Sequence, residues 1–309
     1  MRLAVLAASL ASVLAAASPA LGCACGCDIF DVGGSSMFPT GQGGRIFLEY
    51  DYQNQHENWH RSVRAPGVDN GDKQIETHFM TLGAQYMITA DWGVQVEASY
   101  DYRHFVTTGG PDGTNIEDIR WSELGDLRVK GIYDGFLDDH SLGVTFGFKL
   151  PTGSYTYEDT YGDVDRDTEL GTGSTDVLLG VFFHQELWSG WTVFAQAQLD
   201  APVLSRDGYY PGVEFDAAMG VFWTWTIVEN VRLSPLAQII ESARTSDGGK
   251  AAASPVSSGF ERLLVSPGVE LDLGPVMVYF DVEVPVYIHT TGDQVIAPVL
   301  FKGMISYRF

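Results

Sequence analysis

The sequence has 309 residues, and its 40 acidic against 18 basic side chains give a formal net charge of −22. A chain this acidic is not expected to bind nucleic acid by charge, because nucleic-acid phosphates are themselves anionic. No apolar run after residue 22 is long enough for a transmembrane helix, so hydropathy alone is that of a secreted soluble protein.

The N-terminus predicts export. Arg2 supplies a positive charge, residues 3–17 are apolar and uncharged, and small residues follow, which is the pattern of a secretory signal peptide over residues 1–22. Ser18-Pro19-Ala20 offers a cleavage site, whereas residues 20–23 weakly resemble the lipobox of bacterial lipoproteins. We expect a Cys/Gly-rich periplasmic segment over residues 23–44 and one domain over 45–309.

The three cysteines of the chain, Cys23, Cys25 and Cys27, alternate directly after this leader. Their spacing differs from the C-x₂-C of zinc sites, but close thiols suit copper or another soft metal ion. An odd number leaves one thiol over unless it is lipidated, metal-bound or paired between chains. The sequence therefore leaves four roles open: a lipid anchor, a soft-metal site, a redox pair with one spare thiol, and docking of a periplasmic protein partner.

Alternating apolar residues dominate the rest of the chain. From Val276 to Ile288, even-numbered positions are almost all apolar and odd-numbered positions carry Asp281 and Glu283. A period of two over thirteen residues indicates a strand about twice the usual length of about 5–6 residues. A long strand with one wholly apolar face is typical of a membrane-spanning barrel wall.

Similar segments along the sequence predict an all-β fold, a transmembrane antiparallel up-and-down β-barrel of about twelve strands. The predicted strands cover residues 45–57, 74–88, 93–106, 123–136, 141–151, 172–186, 191–203, 212–225, 231–244, 260–273, 276–288 and 296–309. Short turns and longer polar loops alternate between them, as in outer-membrane barrels. The prolines inside these strands, Pro202, Pro235, Pro267, Pro285 and Pro298, are expected at bulges or strand ends.

Two short motifs resemble known families. "FKGMISYRF", ending at Phe309, resembles the C-terminal strand of bacterial outer-membrane barrels. That resemblance implies recognition by the barrel-insertion machinery, contact with outer-membrane lipid and lipopolysaccharide, and periplasmic N- and C-termini. "FGFKLPTGSY" (residues 146–155) resembles a segment of the phenol-degradation meta-pathway barrels, which implies a transporter of the Gram-negative outer membrane.

Charged residues fall on the predicted inner face of the barrel. The candidate pore-lining residues are Asp101, Arg103, Asp126, Arg128, Lys149, Asp200, Glu214, Asp216, Arg262, Asp281, Glu283 and Lys302. One interpretation is a charged pore that screens solutes. The other is structural, because charges inside a narrow barrel pair across strands. The sequence does not separate the two.

An acidic loop lies between the fifth and sixth predicted strands. Its acids are Glu158, Asp159, Asp163, Asp165, Asp167 and Glu169. Alternating carboxylates suit Ca²⁺, but the glycine of a calcium-binding EF-hand loop is replaced by Thr168. A solvated acidic loop is therefore favoured, with ions bridging it to lipopolysaccharide as a third interpretation.

The sequence favours a channel or transporter for small solutes with a polar, charged lumen and a mild preference for cations. No enzyme is predicted: there is no G-x-S-x-G motif, and His104 on the apolar face lacks a serine partner. The alternative is an accessory or metal-handling barrel that acts through the Cys-x-Cys-x-Cys segment.

Overall fold

The computed structural model of the protein describes residues 38–39, 42–109, 115–160, 162–252 and 258–309. The predicted signal peptide and Cys23, Cys25 and Cys27 lie outside the described residues. No helix in these ranges has the length and apolar character needed to cross a membrane.

Twelve long antiparallel strands form one closed sheet. They are β1 (Gly43–Gln55), β2 (Asp72–Met87), β3 (Trp92–Gly109), β4 (Asn115–Leu124 and Leu127–Tyr133), β5 (Leu142–Leu150), β6 (Thr175–Trp188), β7 (Trp191–Leu204), β8 (Glu214–Trp223 and Trp225–Val228), β9 (Val231–Arg244), β10 (Phe260–Leu273), β11 (Val276–Thr290) and β12 (Leu300–Arg308). Each strand pairs with its neighbours in sequence, and β1 pairs with β12 to close the barrel. The predicted twelve-stranded up-and-down barrel is confirmed.

The two ends of the barrel differ. At the short-turn end, tight turns contain residues with positive φ, such as Gly190 (79°), Asn230 (62°) and Gly274 (83°). The start of β1 and the end of β12 also lie at this end of the barrel. They are joined by a hydrogen bond from Gly44 N to Phe309 O at 2.9 Å. At the long-loop end, connecting segments pair with one another, for example Glu57–His60 with Asp293–Ile296.

Apolar side chains cover the outer surface, as the alternation predicts. Leu82 is 63% exposed, Phe148 51% and Met219 63%. In water this surface would cost about 25 cal/mol per Å², so it indicates a lipid environment. The tryptophans near the short turns are also exposed, and Trp191 lies 6.3 Å from Trp223 between ring centroids. Such a belt is typical of a membrane–water interface.

The prolines show where the sheet departs from regular pairing. The register shifts by one residue beside Pro202 and beside Pro285. Pro235 lies opposite the interruption of β8 between its two segments, and Pro267 lies at a gap in the β10–β11 pairing. These prolines, which lack a backbone N–H group, thus lie where the hydrogen-bond ladder is already interrupted. Pro298 precedes β12.

Two details of the predicted strands are wrong. The bulge at Pro285 reverses the alternation, so Ile288 is buried at 7% exposure instead of facing lipid. The segment 107–122, expected to be a loop, contributes the end of β3 and the start of β4. Their pairing runs from Gly109 opposite Asn115 to Tyr100 opposite Leu124. The outward residues of this segment, such as Asp118, Arg120 and Ser122, are polar. The segment therefore lacks the apolar outward face by which the other strands were predicted.

Candidate functional site: the barrel lumen

An apolar layer, which we call the luminal collar, crosses the inside of the barrel. Nine strands contribute to it, and Phe38 joins them from the segment before β1. The wall residues are Phe47, Met87, Ile132, Phe182, Phe194, Phe222, Leu236, Tyr279 and Met304. All of them are less than 10% exposed. The collar therefore lines the lumen with apolar side chains at this level.

Three collar aromatics lie over cross-strand glycines. Phe47 is paired in register with Gly83, Phe182 with Gly143, and Phe194 with Gly220. A Cβ at Gly83 would come within 2.0 Å of the Phe47 ring, and one at Gly143 within 2.2 Å of Phe182. Glycine lets each ring lie flat against the wall, which leaves room at the centre of the lumen.

Phe38 fills part of that central space. Its ring centroid lies 5.8 Å from that of Phe182 and 6.2 Å from that of Phe194, and it also contacts His184 at 4.7 Å. Phe38 is only 5% exposed although it precedes the first strand. A side chain from outside the wall thus narrows the lumen at the level of the collar.

Charged residues form a polar band between the collar and the long-loop end. Lys149 Nζ lies 3.4 Å from Asp200 and also contacts Asp176, while Lys130 lies 2.9 Å from Glu97. Lys302 Nζ lies 3.2 Å from Glu49. Lys130 and Lys302 thus pair with acids of the adjacent strand, while Lys149 bridges Asp176 of the adjacent strand and Asp200 of the strand beyond it.

Asp281 is the centre of a second network in the polar band. Its Oδ2 accepts hydrogen bonds from Tyr279 Oη at 2.7 Å, Ser266 Oγ at 2.7 Å and Gln238 Nε2 at 2.9 Å. Asp281 is fully buried. Several donors to one oxygen stabilise a carboxylate away from water. The network also joins the collar, through Tyr279, to the charges above it.

The loop between β5 and β6 folds into the lumen, and the predicted pore residue Asp126 fixes both of its ends. Asp126 Oδ1 accepts from Gly153 N at 2.9 Å, and Oδ2 accepts from Thr172 N at 2.9 Å. Thr152 Oγ1 in turn accepts from Leu127 N at 2.8 Å. The Lys-Leu-Pro-Thr-Gly segment therefore turns the loop inward, since its last two residues make these contacts.

Arg103 holds the middle of this loop. Its Nη1 donates to Thr168 O at 2.6 Å and to Glu169 O at 3.1 Å, and its Nε donates to Thr77 Oγ1 at 3.0 Å. Arg103 is completely buried. Val164 of the loop packs with Ile119 in an apolar cluster at the long-loop end. The inserted loop is thus anchored by both charge and packing.

Burial of the loop changes the acidity of two predicted calcium ligands. Loss of water, aided by neighbouring carboxylates, raises the pKa of Asp167 to about 7. Burial likewise raises the pKa of Glu169 to about 8. Among the described side chains, the loop acids do not bring three ligand atoms together. Calcium binding by residues 158–169 stays a prediction.

The predicted inward residues differ in burial. Eight are buried: Asp101, Arg103, Lys149, Asp200, Asp216, Asp281, Glu283 and Lys302. The other four, Asp126, Arg128, Glu214 and Arg262, are partly exposed. All twelve belong to the inner face or its loop contacts. Their contact with a passing solute stays a prediction.

The luminal space is uneven. An open cavity of about 810 Å³ lies at the short-turn end, next to His184, Phe222 and Asp272. Above the collar, two small cavities of about 60 and 80 Å³ lie beside Phe38 and beneath the inserted loop. Among the described residues, the cavity at the short-turn end is thus larger than either of the two cavities above the collar.

Sequence reasoning missed the collar. Phe194, Phe222 and Tyr279 occupy inward positions of their strands, among the charged residues from which the inner face was predicted. The available signal was an aromatic residue in the polar phase, opposite a glycine of the next strand. Phe38 had no comparable signal, because it precedes the first strand and lies outside the alternating pattern.

The architecture has solved counterparts. An outer-membrane channel from Pseudomonas putida F1 shares 12% identity with the chain and has a TM-score of 0.65, covering 90% of this chain and 100% of that one. The fold is that of an outer-membrane β-barrel. The beta domain of the Bordetella autotransporter BrkA is also similar, at 13% identity, a TM-score of 0.53, and coverage of 86% and 100%. No protein-family model and no curated protein matches the sequence.

Proposed function

We propose that the barrel is a non-enzymatic outer-membrane channel for small solutes that is narrowed at the collar by Phe38. The observation that carries the proposal is the position of Phe38 among wall residues to which it is not joined by sheet hydrogen bonds. The backbone of a wall residue is held in place by the hydrogen bonds of the sheet. A side chain brought in by the N-terminal segment can leave while the sheet stays intact.

The polar band supplies the proposed selectivity. Lys149 and Lys302 are each shared between two carboxylates, so the paired groups keep a net negative charge. A negative wall in a narrow lumen favours cations over anions. We therefore propose a mild preference for cationic or neutral polar solutes, with the apolar collar as a separate barrier.

We also propose that the short-turn end faces the periplasm. Both ends of the closed sheet lie at this rim, and Phe309 is 64% exposed there. An exposed terminal aromatic on the last strand suits recognition by the barrel-insertion machinery. The long loops would then face lipopolysaccharide, in keeping with the usual arrangement of outer-membrane barrels.

Planar-bilayer recordings of the purified full chain test the channel. We expect discrete conductance steps and a reversal potential, under a KCl gradient, that indicates a preference for K⁺. Deleting residues 23–39 should increase the conductance, because Phe38 is removed while β1 still begins at Gly43. A barrel that only docks a partner would show no current in either form, and that result would overturn the proposal.

A further inference from the structure

Three metal-ligating side chains meet at the short-turn end, away from the collar. Asp91, Asp134 and His140 each offer a ligand atom, and these atoms lie within 4.8 Å of one another. His140 Nδ1 is 3.2 Å from Asp134 Oδ1 and 3.9 Å from Asp91 Oδ1. In the parts of the chain that the structure describes, this is the one group of three with such spacing.

Two neighbouring turns hold the three residues together. Asp134 N, just after β4, donates to Asp91 O, just before β3, at 3.0 Å. Thr89 Oγ1 accepts hydrogen bonds from Asp91 N at 3.2 Å and Trp92 N at 3.0 Å. A Cβ at Gly135 would lie 2.8 Å from Asp91 Cγ, so glycine permits this close approach. The cluster is therefore set by backbone contacts rather than by chance meetings of mobile side chains.

The carboxylate of Asp134 supplies independent evidence for a ligand. Its side chain is 1% exposed, and its Oδ1 is paired with His140. The other oxygen, Oδ2, is buried and has no hydrogen-bond partner. A buried acceptor without a partner costs about 1–3 kcal/mol.

We propose that Asp91, Asp134 and His140 bind one divalent transition-metal ion that joins the β2–β3 and β4–β5 turns. Tetrahedral bonds of about 2.0–2.2 Å place ligand atoms about 3.4 Å apart. The distances of 3.2 and 3.9 Å from His140 Nδ1 bracket this value, so binding needs only small side-chain movements.

The donor set distinguishes the type of metal. Imidazole nitrogen suits Zn²⁺ and its neighbours in the transition series, whereas Ca²⁺ prefers six to eight oxygen ligands. Asp91 is 50% exposed and His140 30% exposed, which leaves water access to the remaining coordination position. Zn²⁺ is therefore the probe, and Ca²⁺ is the comparison ion.

Zinc titration of the full refolded chain, carrying Cys23→Ser, Cys25→Ser and Cys27→Ser to remove the competing thiols, tests the site. We expect one Zn²⁺ per chain by calorimetry and by metal analysis after dialysis, and no comparable binding of Ca²⁺. His140→Ala and Asp134→Asn should each weaken zinc binding by at least about tenfold. Asp138→Asn changes an exposed acid of the same turn and should leave the affinity unchanged.

Asp91→Asn provides a second variant, because its side chain is half-exposed and the buried Asp134 stays in place. Heat-modifiable gel mobility confirms that each variant is folded. The proposal would be overturned if the folded cysteine-free protein fails to bind Zn²⁺. It would also be overturned if Asp91→Asn and His140→Ala bind Zn²⁺ as tightly as that protein does. The channel proposal is measured separately by conductance, so either can fail alone.

Discussion

Lys302 of the last strand contacts Glu49 of the first, with 3.2 Å between Nζ and Oε1, and it also lies 3.4 Å from Asp51. Lys302 is 1% exposed. The seam that closes the barrel is thus bridged inside the lumen by one cation shared between two acids. A buried pair of this kind is costly to form and more costly to break from one side.

Lys302→Met should destabilise the barrel by about 3–5 kcal/mol, because two buried carboxylates lose their cation. Urea unfolding in detergent, followed by gel mobility, measures the change. Lys250→Met in an exposed loop is the matched control and should stay within about 0.5 kcal/mol of the wild type. Adding Glu49→Gln to Lys302→Met should recover part of the loss. Equal stability of both lysine variants would contradict this view of the seam.

Gly83→Ala should destabilise the collar by about 1–3 kcal/mol, since the new methyl group must displace the Phe47 ring. Gly303→Ala is the control, because its nearest neighbour would be 3.9 Å away. Thermal unfolding compares the two variants. Combining Gly83→Ala with Phe47→Leu should remove the clash. If Gly83→Ala lowers the thermal stability no more than Gly303→Ala does, the position of the Phe47 ring does not depend on Gly83.

The inserted loop should loosen as pH rises. Its Asp167 and Glu169 have pKa values raised by burial to about 7 and 8, against ordinary values near about 4. Protonated acids therefore favour the inserted state, fully below about pH 4, and this contribution is lost as pH rises through 7 to 8. Hydrogen–deuterium exchange of residues 152–174, corrected for the intrinsic rate, should speed up over this range.

Charged neighbours, both within the loop and on other elements, modulate this loop transition. Those facing Glu169 are Glu123, Arg166 and Arg103, and those facing Asp167 are Asp165, Asp247, Asp72 and Arg244. Glu169→Gln should reduce the pH dependence, whereas Glu158→Gln, at an exposed position, should preserve it. The same exchange at pH 5 and pH 9 in the wild type would show that the acids do not control insertion.

The strands could be predicted because lipid imposes one rule on every one of them. In β11, apolar residues at every second position from Val276 to Val284 face outward in the structure, as the alternation indicates. The rule fails at Ile288, where the Pro285 bulge changes the phase. Local sequence does not show whether the odd-numbered or the even-numbered residues face outward beyond a bulge.

The lumen was less predictable because it depends on contacts between distant strands. The inward charges were found, but Asp126 binds a loop and Lys302 joins the two ends of the sheet. Neither partner follows from spacing along one strand. The position of Phe38 depends on the path of a segment with no periodicity. Inner-face membership was therefore predictable, whereas each side chain's partner was not.

Narrowing of the lumen by Phe38 is the central claim. Single-channel conductance of Phe38→Ala, compared with the wild type and with Phe136→Ala, tests it most directly, because Phe136 is 53% exposed in a turn outside the collar. We expect a clear increase in conductance or open time for Phe38→Ala and wild-type behaviour for Phe136→Ala. Identical currents from all three proteins would contradict the account.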